Sequence, residues 1–208
     1  RFPQFYAGVG VHPDTEGDAR EPDVETLCQL ALHPRVVAIG ETGLDYYRLK
    51  GDLEWQRERF RVHIRAARRS GLPLVVHTRS AGDDTVDLLR AQGQGDVRGV
   101  FHCFTETAEV AREALALGFH ISFSGILTFR NAEPLRAVAA EVPLDRCLIE
   151  TYSPYLAPVP YRGRVNEPAH VVHVAAELAR IKGLKVQEVA ETTSRNFDRL
   201  FDRIGEAA

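Results

Sequence analysis

Short apolar runs alternate with amphipathic stretches along most of this chain, and most of the runs end in Gly, His, Glu or Asp. The runs are Phe5–Val11, Val36–Gly40, Leu72–His77, Gly99–Phe104, Phe119–Ser124 and Arg146–Thr151. They are apolar without clean alternation, which suits strands covered on both faces. The stretches between them carry apolar residues at helical spacing. Val24, Leu27, Cys28 and Ala31 share one face of Asp23–His33. Phe60, His63, Ile64 and Ala67 do the same in Glu54–Ser70, where Gly71 is the expected stop. Asp83–Ala91, Thr107–Leu117 (closed by Gly118) and Ala132–Ala140 repeat the form. A Pro-rich loop, Ser153–Pro168, follows the last run, and a helical tail is predicted from about Ala169 to Ile204.

Strand–helix alternation predicts an α/β fold with a parallel sheet. Two architectures fit: a doubly wound open sheet and an eight-stranded barrel. No GxGxxG or GxxxxGK[ST] loop follows any run, which weighs against the nucleotide-binding open sheet. A barrel usually takes about 250 residues, so eight strands would be tight in 208. That length holds one domain, 1–208, with a real core.

Composition narrows the classes. Hydrophobic residues make up 44% and charged residues 26%, as in an ordinary globular protein. No apolar stretch approaches the roughly 20 residues that a bilayer span needs. The net charge of −3 argues against a broadly basic nucleic-acid coat, but it leaves room for a site that meets phosphate locally. Cys28, Cys103 and Cys147 are odd in number and widely spaced. They read as reduced thiols filling the core of a cytoplasmic protein.

The polar residues at the ends of the runs are the candidate chemistry. His12 follows the first run, Glu41 and Asp45 the second, and His77 and Arg79 the third. His102 ends the fourth, and Glu150, Thr151 and Tyr152 end the sixth. In a parallel barrel such positions converge on the C-terminal mouth, where sites are built. Imidazoles with carboxylates form a ligand set for Zn, Mn or Mg, and a bound metal suits hydrolysis. Taken singly, each residue has a blander role: a hydrogen-bonded histidine, a capping carboxylate, a surface cation. It is the repetition over consecutive strands that points to a shared site. Gly40 and Gly43 flank Glu41 and Thr42 and would allow close backbone approach. The segment Arg162, Gly163, Arg164, Asn166, Glu167, Pro168 looks like a phosphate-facing loop. Its alternative is a surface loop leading into a helix whose N-terminus Glu167 favours.

The stretches GVGVHP (8–13), VVAIGETGLDYY (36–47), GLPLVVHTR (71–79), FHCF (101–104), LIETYSPYLAPVPYRGRVNEP (148–168) and VAETTSRNFDRLF (189–201) together resemble the TatD-related deoxyribonucleases, metal-dependent hydrolases of amidohydrolase type. They stand in family order and span nearly the whole chain. The resemblance implies a TIM-type (β/α)8 barrel with one or two divalent metals, Mg, Mn or Zn. It implies hydrolysis of DNA phosphodiesters, as a 3′ exonuclease, with single-stranded or damaged DNA ends as partner. By motif position Glu41 is the bridging carboxylate, and His77 and His102 are metal ligands. His12 and Arg79 join Glu41 in the catalytic set, and Arg79, Arg164 and Glu167 meet the substrate.

The departures from the pattern also carry expectations. Family members commonly open with a His-x-His strand and a second β/α unit, whereas this chain begins at what resembles the third strand. Six strands plus two make the barrel's eight. A barrel short of two strands has open edges and is expected to rearrange, pair with another chain, or be part of a longer protein. Tyr152 stands where the family has a metal-binding Asp. A phenol ordinarily titrates near pH 10 and is a poor ligand and base at neutrality. Strand alternation would keep Glu150 on the same face as residue 152 at another depth, so that only a backbone shift could make it a substitute. Val165 replaces a usual basic residue, and Ser80 an Asp.

Three functions compete on these grounds. One is a metal-dependent deoxyribonuclease. The second is a catalytically impaired relative that still binds metal or nucleic acid. The third is a hydrolase of a non-nucleic-acid amide or ester. Arg79, Arg162 and Arg164 favour the first. The third often needs a Lys at the mouth, and the nearest to a strand, Lys50, lies well past Glu41.

Overall fold

The computed structural model describes residues 4–15, 20–47, 49 and 51–205, so Lys50 lies outside the described residues. All six predicted strands form. They are β1 (Ala7–Val9), β2 (Val36–Asp45), β3 (Leu74–Arg79), β4 (Gly99–Phe101), β5 (His120–Phe123) and β6 (Cys147–Ile149). The helices between them are α1 (Val24–Ala31), α2 (Glu54–Ser70), α3 (Gly82–Gly93), α4 (Ala108–Ala116) and α5 (Glu133–Glu141). The predicted helical tail is two helices, α6 (Val171–Lys182) and α7 (Val186–Leu200). Gly183 breaks it, closing α6 in the left-handed conformation (φ 67°) that a glycine adopts without a Cβ clash.

The chain divides into two compact units, residues 1–101 with 198–208, and residues 102–197. In the first unit β1, β2, β3 and β4 pair in sequence order, all parallel. Helix starts follow local chemistry. Asp23 caps α1 by accepting from the Thr26 N–H at 2.7 Å, and Gly71 ends α2 with φ 72°. Ile39, Leu44, Phe60, Ile64 and Leu74 are fully buried between strands and helices. The C-terminal segment belongs to this unit as well. Arg203 donates to the carbonyls of Ala31 and Val36, and Arg98 grips Asp202 through two bonds of 2.8 Å.

Two details of these strands differ from the sequence reading. β2 does not stop at Gly40 but runs on through Asp45, so Glu41 and Asp45 lie within the strand. The polar letters of 41–45 hide a segment buried by β3 and α2. β3 is not covered on both faces: Leu74, Val76 and Thr78 are buried, and Val75, His77 and Arg79 between them are only partly covered.

Close approach of β2 and β3 needs the glycines. A Cβ on Gly43 (φ 138°) would sit 1.9 Å from the His77 carbonyl oxygen. One on Gly40 (φ 136°) would sit 2.5 Å from that of Val75. The register pairs Gly40 with Val75 and Thr42 with Val76, leaving Glu41 as one extra residue on β2. Such a bulge re-aims a side chain.

In the second unit β5 and β6 pair in parallel. Phe119, Ile121, Phe123 and Leu178 are buried in its core. Asn196 on α7 donates to the carbonyls of Leu144 (2.9 Å) and Cys147 (2.8 Å), tying that helix to the start of β6. The three cysteines are free thiols, and burial pushes that of Cys147 up to about 12. Among the described residues no helix is long and apolar enough to cross a membrane.

His63 on α2 predicts an acid-sensitive fold. Burial holds its imidazole down at about 4 against an ordinary 6.5. Between those values the unfolded chain binds a proton that the folded chain refuses, so stability is full above about pH 6.5 and falls as pH drops towards 4. The loss is on the order of 3 kcal/mol. Urea titrations at pH 7.5, 6 and 5 should show it, with a His63→Gln chain losing less over the same range. Equal pH slopes in the two chains would refute it.

Candidate metal centre

Three donor atoms come together within the first unit. His12 stands on the loop after β1, Glu41 on the β2 bulge and His77 on β3. The His77 Nδ1 lies 3.0 Å from Glu41 Oε1. The His12 Nε2 lies 3.3 Å from the same oxygen and 3.3 Å from His77 Nδ1. The two rings meet edge to face, with centroids 4.5 Å apart.

Each imidazole is held from behind by a carboxylate. His77 Nε2 bonds Asp45 Oδ2 at 3.0 Å, and His12 Nδ1 bonds Asp14 Oδ1. In the neutral tautomer with the N–H on the outer nitrogen, the inner nitrogen of each ring is a lone pair. Two lone pairs and a carboxylate oxygen then point at one spot, where like partial charges repel unless a cation sits among them. The cluster already draws positive charge. Burial alone would lower the His12 imidazole, yet the Glu41 and Asp14 carboxylates raise it above its ordinary value.

The three atoms form a group able to hold a metal ion, all within 4.8 Å of one another. Bonds of about 2.0–2.1 Å in a tetrahedron place ligand atoms about 3.3–3.4 Å apart. Separations of 3.0, 3.3 and 3.3 Å fit that edge length. A carboxylate on the far nitrogen is the usual way a metal-binding histidine is oriented.

In the sequence Asp45 is one more strand-end carboxylate; in the fold it is the orienting partner of His77. It is 4% exposed. Its backbone N–H donates to Gln56 Oε1 at 2.8 Å, and its Oδ1 accepts from the Tyr47 N–H at 2.9 Å. The TGLDYY run marked it as a strand end, but its partner could not be read there. Arg79, two residues after His77 on the same face of β3, stacks its guanidinium 3.8 Å from the Tyr47 ring centre.

The second unit holds His102 and Tyr152. His102 Nδ1 bonds Glu150 Oε2 at 2.6 Å, and the Cys103 N–H donates to Glu150 Oε1 at 2.5 Å. Burial works to raise Glu150, but the His102 imidazole, the Ser122 hydroxyl and the Cys103 N–H hold it below the usual carboxylate range. The Tyr152 ring stacks on His102, with centroids 5.2 Å apart and planes 17° apart. The alternation expected for residues 150–152 does not hold. β6 ends at Ile149, and Tyr152 takes a left-handed backbone, φ 59°. Glu150 therefore reaches His102 without sharing a strand face with residue 152.

The loop after β6 is anchored by Asn166, which donates to the carbonyls of Thr151 (2.5 Å) and Tyr155 (2.7 Å). Arg162 stacks on Phe129, 3.7 Å from its ring centre. Arg164 and Val165 are exposed. Glu167 stands at the N-cap of the short turn Pro168–His170, in a capping box with His170. Of the expected ligands, Glu41 and His77 come together with His12, and His102 stands beside Glu150 and Tyr152.

The family model described as TatD related DNase matches residues 1–202. The chain is 54% identical over 192 residues to the uncharacterized metal-dependent hydrolase YcfH of Escherichia coli strain K12, covering 92% of this chain and 72% of that protein. It is 33% identical over 205 residues to the 3'-5' ssDNA/RNA exonuclease TatD of Escherichia fergusonii, covering 96% of this chain and 79% of that one. The crystal structure of YjjV, a TatD homolog from Escherichia coli K12, superposes with a TM-score of 0.83 at 30% identity, over 95% of this chain and 76% of that chain. With matched strands, a matched family model and a donor triad suited to a divalent ion, the chain belongs to the TatD-related deoxyribonuclease family of metal-dependent hydrolases.

Proposed function

We propose that this chain hydrolyses phosphodiester bonds of single-stranded DNA from the 3′ end, with a divalent metal held by His12, Glu41 and His77. The observation that carries the reading is the convergence of two imidazole nitrogens and a carboxylate oxygen at 3.0–3.3 Å. The metal would supply Lewis-acid polarisation of a phosphoryl oxygen and a more acidic bound water. The residues do the rest. Asp45 and Asp14 hold the rings in the tautomer that presents their inner nitrogens. Glu41 sets the negative charge of the site, and its bulge directs it at the histidines. Arg79 lies on the same strand face as His77, where a phosphate bound at the triad would find a cation. By the resemblance, His102 is a further ligand, and Arg164 and Glu167 meet the nucleic acid. The exonuclease named among the relatives, at 33% identity, supports the choice of substrate.

The stacking of Tyr152 on His102 favours a second reading, in which the chain keeps metal and nucleic-acid binding but turns over slowly. One assay separates the two. Single-stranded DNA labelled at its 5′ end, and the matching RNA, are incubated with Mg or Mn and with EDTA. Stepwise shortening from the 3′ end that EDTA abolishes supports exonuclease action. Binding of metal and DNA without shortening establishes the impaired relative. Absence of metal binding refutes both.

A further inference from the structure

We infer that Gln56, Arg59 and His63 of α2 are positioning residues that clamp the His12 loop and Asp45 into the geometry of the metal centre. The inference rests on the reading of His12, Glu41 and His77 as metal ligands. The three clamp residues are spaced i, i+3, i+7 and so share one helix face. All are polar, yet they are 0%, 5% and 0% exposed. Burying such groups is costly unless each finds a partner. Their partners are backbone groups of two short segments.

Gln56 bridges both segments. Its Nε2 donates to the Pro13 carbonyl at 3.1 Å and the Asp45 carbonyl at 3.3 Å, and its Oε1 accepts from the Asp45 N–H at 2.8 Å. Arg59 Nη1 donates to the carbonyls of His12 and Thr15, 3.0 Å each, while Glu21 neutralises the guanidinium. His63 Nδ1 is satisfied by the Arg59 carbonyl at 2.8 Å, which leaves Nε2 to accept the Val11 N–H at 3.0 Å.

Residues 11–15 have no strand or helix of their own. The clamp bonds Val11, His12, Pro13 and Thr15 in turn. A rigid helix thereby fixes a loop-borne histidine relative to the carboxylate that orients the other one. A ligand cage tolerates displacements of only about 0.5 Å, which a loop alone would not hold.

Cobalt(II) titration followed by visible d–d absorption tests this in the full chain. Gln56→Met keeps the volume and loses the bonds. It and His63→Ala are expected to weaken cobalt binding about tenfold and to alter the band shape. His63→Gln places an acceptor near the old Nε2 and should recover affinity to within about threefold of the parent. Unchanged affinity and spectrum in folded Gln56→Met would overturn the clamp, as would a failure of His63→Gln to exceed His63→Ala. Should the variants not fold, amide exchange in the unmodified chain decides. The Val11 and Asp45 amides should exchange at least about 100-fold slower than in a free peptide, and free-peptide rates overturn the inference. If the unmodified chain binds no cobalt, the metal reading fails instead, and the exchange rates judge the clamp alone.

Discussion

Replacing Glu41 with glutamine is expected to remove tight divalent-metal binding and to lower metal-dependent hydrolysis at least about 1000-fold, about 4 kcal/mol of transition-state stabilisation. Glutamine keeps the shape and discards the charge. It also introduces an amide donor 3.0 Å from the His77 Nδ1, where the carboxylate oxygen now stands. That donor can satisfy the nitrogen in place of a metal, so the metal-free fold should lose little stability. Calorimetric titration with Mn, beside thermal unfolding with and without metal, separates the effects. Parent and variant should melt together without metal, and only the parent should gain stability from it. A Glu41→Gln chain that binds Mn as tightly as the parent would place the ligands elsewhere.

On the reading that the resemblance implies, in which position 152 belongs to a metal-binding Asp, Tyr152→Asp is expected to raise metal-dependent turnover at least about tenfold, because a lost ligand commonly costs one or more factors of ten in rate. The backbone suits the change. Residue 152 has φ 59°, in the left-handed region where Asp is several-fold enriched and a bulky aromatic is unusual. Against this, the stacking on His102 is lost, worth about 0.5–1.5 kcal/mol for an aromatic pair. The two terms oppose, so the melting temperature should move little. The measurement is the rate of DNA shortening at saturating Mn for both chains. Equal rates would clear Tyr152 of the role, and a large loss of stability would show that the stack outweighs the backbone preference.

Much of the fold was legible along the chain. Strands announce themselves as apolar runs, and helices through caps such as Asp23 and stops such as Gly71. The histidines and Glu41 were visible because polar groups at the ends of apolar runs are rare without a purpose. The family motifs gave roles to His102, Arg79 and Arg164, which position along the chain marks only as candidates.

What escaped the reading shares one cause. Gln56 and Arg59 lie on the same face of α2 as Phe60, His63 and Ile64, but spacing and polarity cannot show which backbone groups wait opposite them. The same blindness kept β2 short. Residues 41–45 read as a polar end, while β3 and α2 bury most of them. It also hid the pairing of Glu150 with His102, since alternation assumes a strand that β6 has already ended.

The order of strands and helices, the membership in a family and the identity of the candidate ligands can all be read along the chain. These depend on local periodicity and on residue types at the ends of runs. Three facts emerge from the folded chain instead: Glu41 sits on a bulge, His12 joins Glu41 and His77 at 3.0–3.3 Å, and Asp45 stands behind His77. Those facts depend on strand register and on contacts between residues far apart in the chain, where one extra residue turns a side chain to a new direction.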